Sequence, residues 1–288
     1  MTVFHNGRYV SAEEAHVSIW DRGLLYGDGV FETLPVVNGR PFLWKEHLHR
    51  WRAGASFLGI AVPLDEAVLR TAAEELMERN QLSDGVLRLT LTRGPGPRGY
   101  SPRGAGPPTL IMTLEPSGTT SGQPKSWDVI TAQTRAPAPG PLSAYKTCNR
   151  LAQVLARAEA DAAGAHEALL TDGEGRVIEA SAANVFWVDE AGLWSPGPEQ
   201  GALDGITRRW VLAFCRSRGW PVHTAAAGID QVRRAMGIFL TLSTLGVVEI
   251  VRWDGQAVHR WSAVRELQEA YAAALQTNTE LRSVTGDP

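Results

Sequence analysis

The chain has 288 residues, of which 44% are hydrophobic and 20% are charged, so it can bury a substantial core in one large domain or two medium ones. Its net charge of −3 and the absence of a basic block argue against nucleic acid or an anionic membrane surface as a partner. No apolar run is long enough to cross a bilayer, and Cys148 and Cys215 fit no metal spacing. These features predict a reduced, cytoplasmic protein, with a disulfide as the less favoured alternative.

The first third of the chain alternates short strands with two helices. Strands are predicted in TVFHNGRYV, GVFETLPVVNG and RPFLW, with VNGR as the hairpin turn between the last two. Helices are predicted at about 45–58 and 65–81, followed by the strands GVLRLTLTRG and PTLIMTLEP. The next stretch, SGTTSGQPKS, has the composition of a linker. We therefore predict a smaller N-terminal α/β domain over residues 1–117 and a larger C-terminal domain over residues 118–288.

The second half begins with the strand WDVITAQT and a proline-rich loop that ends before Lys146. A helix is predicted at about 149–164, a second begins near Thr207, and a third covers about 261–275. The strands between them are predicted in EALLTD, RVIEAS, ANVFWVD, GIFLTLS and VVEIVRW. Helices and strands alternate without the regular βαβ order of a doubly wound sheet. The pattern therefore indicates an α/β (α+β) protein with two subdomains and mixed sheets.

Two charged residues are candidates for chemistry. Lys146 lies in SAYKTCNRL, between the loop and the helix, and such a lysine is by itself most often a solvated charge. Glu179 lies in RVIEASAANVFW among small and apolar neighbours. It is therefore either an edge-strand charge that faces water or a buried carboxylate with a cationic partner.

Two segments have the composition of anion sites. In GALDGITRRW a helix begins at Ile206 or Thr207, and the N–H groups of a helix start, together with a threonine hydroxyl, bind anions. The alternative is an ordinary N-cap at Asp204 or Thr207. In TLSTLG a hydroxyl-rich turn joins two apolar strands and can hold phosphate oxygens, although such turns are more often only turns.

One cofactor, pyridoxal phosphate, would use all four features together. Its aldehyde needs a primary amine, which Lys146 supplies, and its pyridine nitrogen needs a carboxylate that keeps it protonated, which Glu179 supplies. Its phosphate needs the N–H groups and hydroxyls that the Thr207 helix start and the 241–244 turn offer. It also favours an arginine, for which Arg50 in KEHLHRWRAG is the candidate, with a surface-helix arginine as the alternative.

The sequence resembles the fold-type IV pyridoxal phosphate enzymes, which include branched-chain aminotransferases, D-amino-acid transaminases and aminodeoxychorismate lyases. The resemblance covers nearly the whole chain and rests on motifs in the family's order, namely DRGLLYGDGVFET, HLHR, RGPGPRGYSP, YKTCNRL, VIEASAANVFW, GALDGITRR and TLSTLGV. It implies two α/β domains with the cofactor at their interface and a cofactor-binding C-terminal domain. It also implies a homodimer in which the RGPGPRGYSP loop reaches the partner's active site.

The resemblance assigns residues position by position. The covalent lysine of the family corresponds to Lys146, its pyridine-nitrogen glutamate to Glu179 and its phosphate-binding arginine to Arg50. The further phosphate-contacting positions of the family correspond to Ile206, Thr207, Ser243 and Thr244.

The substrate-side positions favour one reaction of the family. D-amino-acid transaminases have a tyrosine at the position of Phe31 and a histidine at that of Tyr100, which hold the substrate carboxylate with the arginine that matches Arg98. Branched-chain enzymes usually have a glycine where this chain has Thr33. RGPGPRGYSP and KTCNRLAQVLAR instead resemble aminodeoxychorismate lyase, and an aromatic wall of Phe31 and Tyr100 suits a flat six-membered ring.

We therefore expect a 4-amino-4-deoxychorismate lyase that forms 4-aminobenzoate and pyruvate for folate biosynthesis. The alternative is a class IV aminotransferase that acts on D-amino acids, branched-chain amino acids or amines. A dimer that binds the cofactor without catalysis is a third and less favoured alternative, because Lys146 and Glu179 are both present.

Overall fold

The computed structural model describes residues 1–116 and 125–278, and the chain divides into two compact units. Unit one consists of Met1–Ser121 and Tyr145–Asn149, and unit two consists of Gly122–Ala144 and Arg150–Pro288. The segment around Lys146 thus belongs to unit one, although it lies in the second half of the sequence. The predicted boundary between residues 117 and 118 lies outside the described residues. Within those residues, no helix has the length and apolar character needed to cross a membrane.

Unit one contains a six-stranded antiparallel sheet with two long helices packed on it. Its elements in chain order are β1 Thr2–His5, β2 Arg8–Ser11, α1 Arg22–Tyr26, β3 Gly29–Val37, β4 Arg40–Pro41, α2 Trp44–Leu58, α3 Glu66–Asn80, β5 Gly85–Thr92 and β6 Thr109–Pro116. The strand order is β2-β1-β6-β5-β3-β4. The core between the helices and the sheet includes Leu34, Leu48, Trp51, Leu69, Leu76, Leu87 and Leu89. Both predicted helices are confirmed to within a residue or two of their ends.

The VNGR hairpin turn is confirmed, but the strand after it is short. Asn38 and Gly39 have φ values of 53° and 70°, as a two-residue turn between twisted strands requires. The predicted strand RPFLW ends at Pro41, because Leu43 has a φ of 52° and leaves the extended conformation. Helix α2 begins directly after it, at Trp44.

Helix α1 is not foreseen by the sequence pattern, because five residues are too few to show a helical period. The helix begins where Asp21 Oδ1 accepts the N–H of Gly23 at 2.8 Å, and it ends at Gly27, with φ 67°. Asp21 is fully buried and also accepts the hydroxyls of Thr92 and Thr109 at 2.9 and 2.6 Å. This carboxylate therefore ties α1 to the ends of β5 and β6.

Unit two contains a ten-stranded sheet with mixed pairing. Its elements are β7 Ser126–Thr131, α4 Leu151–Ala162, β8 Glu167–Thr171, β9 Arg176–Ala180, β10 Asn184–Asp189, β11 Gly192–Trp194, α5 Ile206–Ser217, β12 Val222–His223, β13 Ala227–Gly228, α6 Ile229–Arg233, β14 Gly237–Leu242, β15 Gly246–Trp253, β16 Gln256–Ala257 and α7 Ala263–Thr277. The order is β12-β11-β10-β14-β15-β7-β8-β9-β13, and β16 pairs with β15. Strand β7 pairs in parallel with β8 and β15. The predicted mixed pairing therefore lies in this unit, and α4, α5 and α7 confirm its three predicted helices.

Candidate active site

The backbone around Lys146 is fixed beside β3. The N–H of Phe31 donates to the C=O of Lys146 at 2.9 Å, and the N–H of Cys148 donates to the C=O of Gly29 at 2.8 Å. A Cβ at Gly29 would lie 2.6 Å from the backbone oxygen of Leu91, so only glycine allows this close approach. The segment that carries Lys146 is therefore anchored to the sheet of unit one through its backbone.

Lys146 and Arg88 share the aromatic ring of Phe31. Lys146 Nζ lies 4.7 Å from the ring centroid, and the guanidinium carbon of Arg88 lies 3.9 Å from it. Burial lowers the pKa of Arg88, but an arginine still carries its charge at neutral pH. Two cations beside one ring attract an anion, so this face of unit one favours a carboxylate.

Arg88 is missing from the sequence-based candidates, although strand alternation contains the signal. In the pairing of β3 with β5, Thr33 lies opposite Arg88 and Phe31 lies opposite Thr90. Directly opposed residues share a face, as do residues two apart along a strand. Arg88 and Phe31 therefore share a face, and an arginine inside the apolar strand GVLRLTLT was the available indication.

Arg50 lies in a buried ion pair rather than on the helix surface. Its Nε and Nη2 donate to the two carboxylate oxygens of Glu32 at 2.7 and 2.8 Å, and His47 Nδ1 lies 2.7 Å from Glu32 Oε2. Burial raises the pKa of Glu32, but the charge of Arg50 and the contact with His47 outweigh burial and hold the pKa well below its usual range. Burial also lowers the pKa of His47, which leaves its imidazole neutral at pH 7.

Glu32 and His47 were missed from sequence, and the ion pair bears on the role of Arg50. His47 and Arg50 are three residues apart on α2, among the buried apolar positions Leu48 and Trp51. Polar residues at such core positions indicate a buried partner. Glu32 engages two of the five guanidinium N–H donors and fixes the plane of the group. The phosphate contact that the resemblance assigns to Arg50 remains a prediction.

The predicted substrate residues Arg98 and Tyr100 lie on an exposed loop between β5 and β6. Tyr100 is 88% exposed, and its ring centroid is 5.5 Å from that of Tyr26. Phe31 instead has Lys146 and Arg88 beside its ring. Among the residues that the structure describes, Phe31 and Tyr100 are not in ring contact, so one chain alone does not form the expected aromatic wall.

Arg22 holds this loop through the loop's backbone. Its Nη1 donates to the C=O of Gly99 at 2.8 Å, and its Nη2 donates to the C=O of Tyr100 at 3.0 Å. Its Nε donates to Asp28 Oδ2 at 2.9 Å, and Arg93 donates to both oxygens of the same carboxylate at 2.7 and 3.0 Å. Burial raises the pKa of Asp28, but the hydrogen bonds from Arg93 and Arg22 lower it further, so the carboxylate remains charged.

The base of the loop is closed by glycine. Gly94 has a φ of +84°, and a Cβ there would collide with the backbone oxygen of Pro107. The N–H of Gly96 donates to the C=O of Trp20 at 3.1 Å. The base is therefore a rigid part of unit one, whereas Arg98 and Tyr100 at its tip are exposed.

Glu179, in unit two, is a buried carboxylate held by uncharged donors. It is 7% exposed, which excludes the alternative of an edge-strand charge facing water. Its Oε1 accepts from Gln153 Nε2 at 3.3 Å, and its Oε2 accepts the N–H of Leu203 at 2.9 Å. A carboxylate buried among neutral donors is stabilised by a nearby cation, and a protonated pyridine nitrogen is such a cation.

The peptide group of Leu203 connects Glu179 to the start of α5. Its N–H donates to Glu179, and its C=O accepts from Asn184 Nδ2 at 2.7 Å. Asn184 Oδ1 lies against Gly205, where any Cβ would collide with it. Asn184 was not predicted, and its only sequence signal is a polar residue at the head of the apolar strand NVFWVD.

The start of α5 has the features of an anion site. The helix begins at Ile206 after Gly205, with no side-chain cap. Asp204, which the sequence left open as a cap, accepts from Arg209 Nε at 2.9 Å instead. Ile206 and Thr207 are both buried. Amide groups at a helix start without a side-chain cap are the donors that bind phosphate in many proteins.

The turn that contains Ser243 and Thr244 joins β14 to β15. Gly246 follows it with a φ of +74°, which a residue with a side chain rarely adopts. Just before the turn, the buried hydroxyl of Thr241 has no hydrogen-bond partner among the described residues. Leaving a buried hydroxyl unsatisfied costs about 1–3 kcal/mol, so this end of β14 has a donor available for a bound group.

The groups in the two units have the chemistry that pyridoxal phosphate requires. Unit one supplies a primary amine, and unit two supplies a buried carboxylate, a helix start without a side-chain cap and a hydroxyl-rich turn. Within residues 1–116 and 125–278, no group of three or more His, Cys, Asp or Glu side chains is arranged to hold a metal ion. The donors present therefore fit a phosphorylated pyridine aldehyde.

Comparisons with known proteins point to the same chemistry. Residues 29–253 match the family described as amino-transferase class IV. The chain is 33% identical over 259 residues to a putative branched-chain-amino-acid aminotransferase from Methanocaldococcus jannaschii, covering 90% of both chains. The structure of 4-amino-4-deoxychorismate lyase from Pseudomonas aeruginosa has a TM-score of 0.83 and 33% identity, covering 95% of this chain and 99% of that one. A branched-chain amino acid aminotransferase from T.th., solved with pyridoxamine 5'-phosphate, has a TM-score of 0.89 and 28% identity, covering 96% and 95%.

Proposed function

Because the chain belongs to the class IV aminotransferase family, whose cofactor is pyridoxal 5'-phosphate, we propose that it is a 4-amino-4-deoxychorismate lyase that forms 4-aminobenzoate and pyruvate. The predicted family, fold and cofactor are confirmed. The family includes aminotransferases and lyases, so the reaction itself is the proposal. The two products together contain all the atoms of the substrate, so the lyase reaction needs no second substrate and no oxidant.

Lys146 carries out the proton transfer in this proposal. The bound cofactor supplies a pyridine ring that accepts electrons from the substrate carbon bearing the amino group. Lys146 holds the cofactor covalently at rest and is released when the substrate amine takes its place. Its amine then removes the proton from that carbon. The bond from the neighbouring carbon to the enolpyruvyl oxygen breaks, the ring becomes aromatic, and the departing enol takes up a proton as pyruvate.

Glu179 and the phosphate contacts position the cofactor. Glu179 keeps a proton on the pyridine nitrogen, and the donors Gln153 and Leu203 fix the carboxylate so that it does not turn away. The phosphate is held by the start of α5 and by the turn after β14, with Arg50 supplying a charge-assisted contact. The residues assigned to the phosphate are Arg50, Ile206, Thr207, Ser243 and Thr244.

The observation that carries the choice of substrate is the Phe31 ring with Lys146 and Arg88 beside it. 4-Amino-4-deoxychorismate has a six-membered ring and two carboxylates. Phe31 packs against the ring, and Arg88 pairs with one carboxylate. Arg98, on the exposed loop, is assigned to the other carboxylate. A small D-amino acid has no ring to fill this face, and Phe31 has no hydroxyl to donate to its carboxylate.

The test is product formation without a keto-acid acceptor. The holoenzyme is incubated with 4-amino-4-deoxychorismate, pyruvate is followed with lactate dehydrogenase and NADH, and 4-aminobenzoate is measured by chromatography. Equal amounts of the two products are expected, and the Lys146→Ala variant should form neither. Rapid amino transfer from an amino acid or amine to 2-oxoglutarate, with no 4-aminobenzoate formed, would overturn the lyase assignment.

The alternative is an aminotransferase, and the identity to the Methanocaldococcus jannaschii relative favours it. An aminotransferase shares the proton removal by Lys146 but keeps the amino group for a keto acid. In that case Phe31 and Arg88 would select an apolar or aromatic amino donor. A panel of D- and L-amino acids and amines with 2-oxoglutarate, run beside the lyase assay, separates the two reactions.

A homodimer is part of the proposal, because unit one exposes a cluster of large apolar side chains. Ile19, Trp20 and Leu24 are 69%, 57% and 66% exposed around α1, and Tyr100 on the neighbouring loop is 88% exposed. A second copy of the chain is the proposed occupant. Light scattering after gel filtration should give twice the mass of 31.2 kDa, and Leu24→Glu should give the monomer. A wild-type monomer at micromolar concentration would contradict the dimer.

A further inference from the structure

Tyr271, on the last helix α7, contacts both segments of unit two that are assigned to the cofactor phosphate. Its hydroxyl lies 3.2 Å from Thr207 Oγ1, in the first turn of α5. Its ring lies on Gly246, the residue that closes the turn containing Ser243 and Thr244, and a Cβ on that glycine would be 2.6 Å from the ring. Tyr271 lies outside all the motifs on which the family resemblance rests.

The surroundings hold the Tyr271 side chain in one place. Tyr271 is 4% exposed and Thr207 is 2% exposed. The ring of Trp210 stands at 89° to that of Tyr271 with the centroids 5.1 Å apart, which is a favourable edge-to-face contact. Burial raises the pKa of Tyr271 to about 12 against the opposing hydrogen bond with Thr207, so the hydroxyl keeps its proton at neutral pH.

We propose that Tyr271 is a positioning residue for the cofactor phosphate and acts through Thr207 and through the turn closed by Gly246. A phosphate oxygen accepts hydrogen bonds, so Thr207 must donate its own proton in order to bind one. The oxygen of Thr207 then accepts the proton of the Tyr271 hydroxyl. The hydrogen bonds therefore run in one direction, from Tyr271 to Thr207 to the phosphate.

The same side chain keeps the second segment in place. With glycine at position 246 the tyrosine ring rests directly on the backbone of the turn, so the ring limits how far the turn can move relative to α5. This inference rests on the proposed function in one respect only, which is that Thr207 and the turn contact the phosphate. It does not depend on whether the enzyme is a lyase or an aminotransferase.

The experiment compares two ligands of the apoenzyme that differ only in the phosphate. Wild type and Tyr271→Phe are titrated with pyridoxal phosphate and, separately, with pyridoxal, and tryptophan fluorescence reports binding. Loss of one hydrogen bond should weaken pyridoxal phosphate binding about two- to tenfold and leave pyridoxal binding unchanged. The matched control is Tyr9→Phe in unit one, whose hydroxyl donates to the C=O of Ala72 at 3.3 Å and which should alter neither affinity.

Two further variants keep the proposal falsifiable if Tyr271→Phe folds poorly. Gly246→Ala keeps the hydroxyl but displaces the ring, and it should lower the same affinity ratio. Thr207→Val removes the intermediate hydroxyl, so adding Tyr271→Phe to it should change the ratio no further. Equal losses for both ligands, no loss for either, or fully additive effects in the double variant would overturn the role of Tyr271.

The wild-type titration separates this inference from the proposed function. If wild type binds pyridoxal phosphate more tightly than pyridoxal, the phosphate assignment stands and the variants test Tyr271 alone. If wild type binds the two ligands equally, the phosphate assignment to Thr207 and the turn is wrong. As an independent readout, inorganic phosphate should raise the melting temperature of the wild-type apoprotein more than that of Tyr271→Phe.

Discussion

In unit one, charged groups near the site are held in place by opposite charges, whereas in unit two the corresponding groups are held by uncharged donors. Arg50 is fixed by Glu32, and Arg22 is fixed by Asp28. Glu179 is fixed by an amide side chain and a backbone N–H. The helix start at Ile206 has no charged cap at all.

This difference determines what a substitution should damage. Removing one partner of a buried ion pair leaves the other charge buried without compensation, so the folded state loses stability. Removing a charge that is held by neutral donors leaves groups that can still pair with one another or with a neutral replacement. Substitutions in the ion pairs of unit one should therefore act on stability, and substitutions at Glu179 should act on chemistry.

The largest effect is expected at Lys146, which is assigned a covalent role. Lys146→Ala should lower turnover by at least about 10³-fold, since it removes both the nucleophile and the base. The variant should still bind the cofactor through its phosphate. Borohydride reduction and peptide mapping of the wild type should place the pyridoxyl group on the peptide containing Lys146. A label on Lys45 or Lys125, the other two lysines of the chain, would contradict the assignment.

The next effect should appear in stability, at Glu32. Glu32→Gln should lower the free energy of unfolding by about 3–5 kcal/mol at pH 7, since Arg50 would stay buried without its carboxylate. The pKa of Glu32 is lowered in the folded state, so its stabilisation is complete above the ordinary carboxyl pKa of about 4.3 and declines as the pH falls below it. Urea denaturation should therefore show the largest difference from wild type at pH 7 and a smaller one near pH 3. Glu74→Gln, in an exposed pair with Arg70, is the control and should change little.

Glu179→Gln should show the opposite pattern. A neutral amide does not hold the pyridine nitrogen protonated, so kcat should fall by about 10²–10³-fold, the scale of one electrostatic catalytic group. The melting temperature should change little, because the new amide oxygen can accept the N–H of Leu203 and the Gln153 amide can reverse to offer its oxygen. Steady-state kinetics and calorimetry on the same preparation measure both effects. A loss of stability as large as that of Glu32→Gln would break the comparison.

Arg50 requires a double variant, because Arg50→Ala alone leaves Glu32 buried and charged. Glu32→Gln combined with Arg50→Met removes both charges. If Arg50 also contacts the phosphate, the double variant should bind pyridoxal phosphate about 10- to 100-fold more weakly than Glu32→Gln alone, since a charge-assisted contact contributes about 1.5–3 kcal/mol. The rate of cofactor loss during dialysis measures this. Equal rates in the single and double variants would show that Arg50 serves only the ion pair.

The smallest of these effects is expected at Arg98. Its loop is held through backbone oxygens, so Arg98→Ala should leave the melting temperature unchanged. KM for 4-amino-4-deoxychorismate should rise by about tenfold, within the range of a hydrogen bond to a charged group, while kcat changes less. An unchanged KM would remove Arg98 from the substrate contacts.

The sequence allowed the prediction of features that depend on neighbouring residues along the chain. The long helices, the VNGR turn and the helix start after Gly205 follow from periodicity and turn chemistry. Lys146 and Glu179 emerged as candidates because a reactive amine and a carboxylate in an apolar strand are unusual, and their ordered motifs carried the family resemblance. The cofactor followed from the same motifs.

Features that depend on pairing between distant segments could not be predicted in this way. Arg88 joins Phe31 only through the register of β3 with β5, and Glu32 meets Arg50 only when α2 packs on β3. The membership of Tyr145–Asn149 in unit one rests on backbone hydrogen bonds to Gly29 and Phe31, which chain order does not reveal. Tyr271 reaches Thr207 across 64 residues of sequence, and no local pattern marks it.

The loop held by Arg22 has a consequence for how such enzymes diverge. Arg22 binds the backbone oxygens of Gly99 and Tyr100, which any amino acid would present equally well. The side chain of Tyr100 points into solvent, and a Cβ at Gly99 would meet no atom within 4 Å. Mutations at the tip therefore leave the loop's attachment intact, and natural variation can try new residues there one at a time. Substrate preference can then drift in this lineage while the fold stays under unchanged selection.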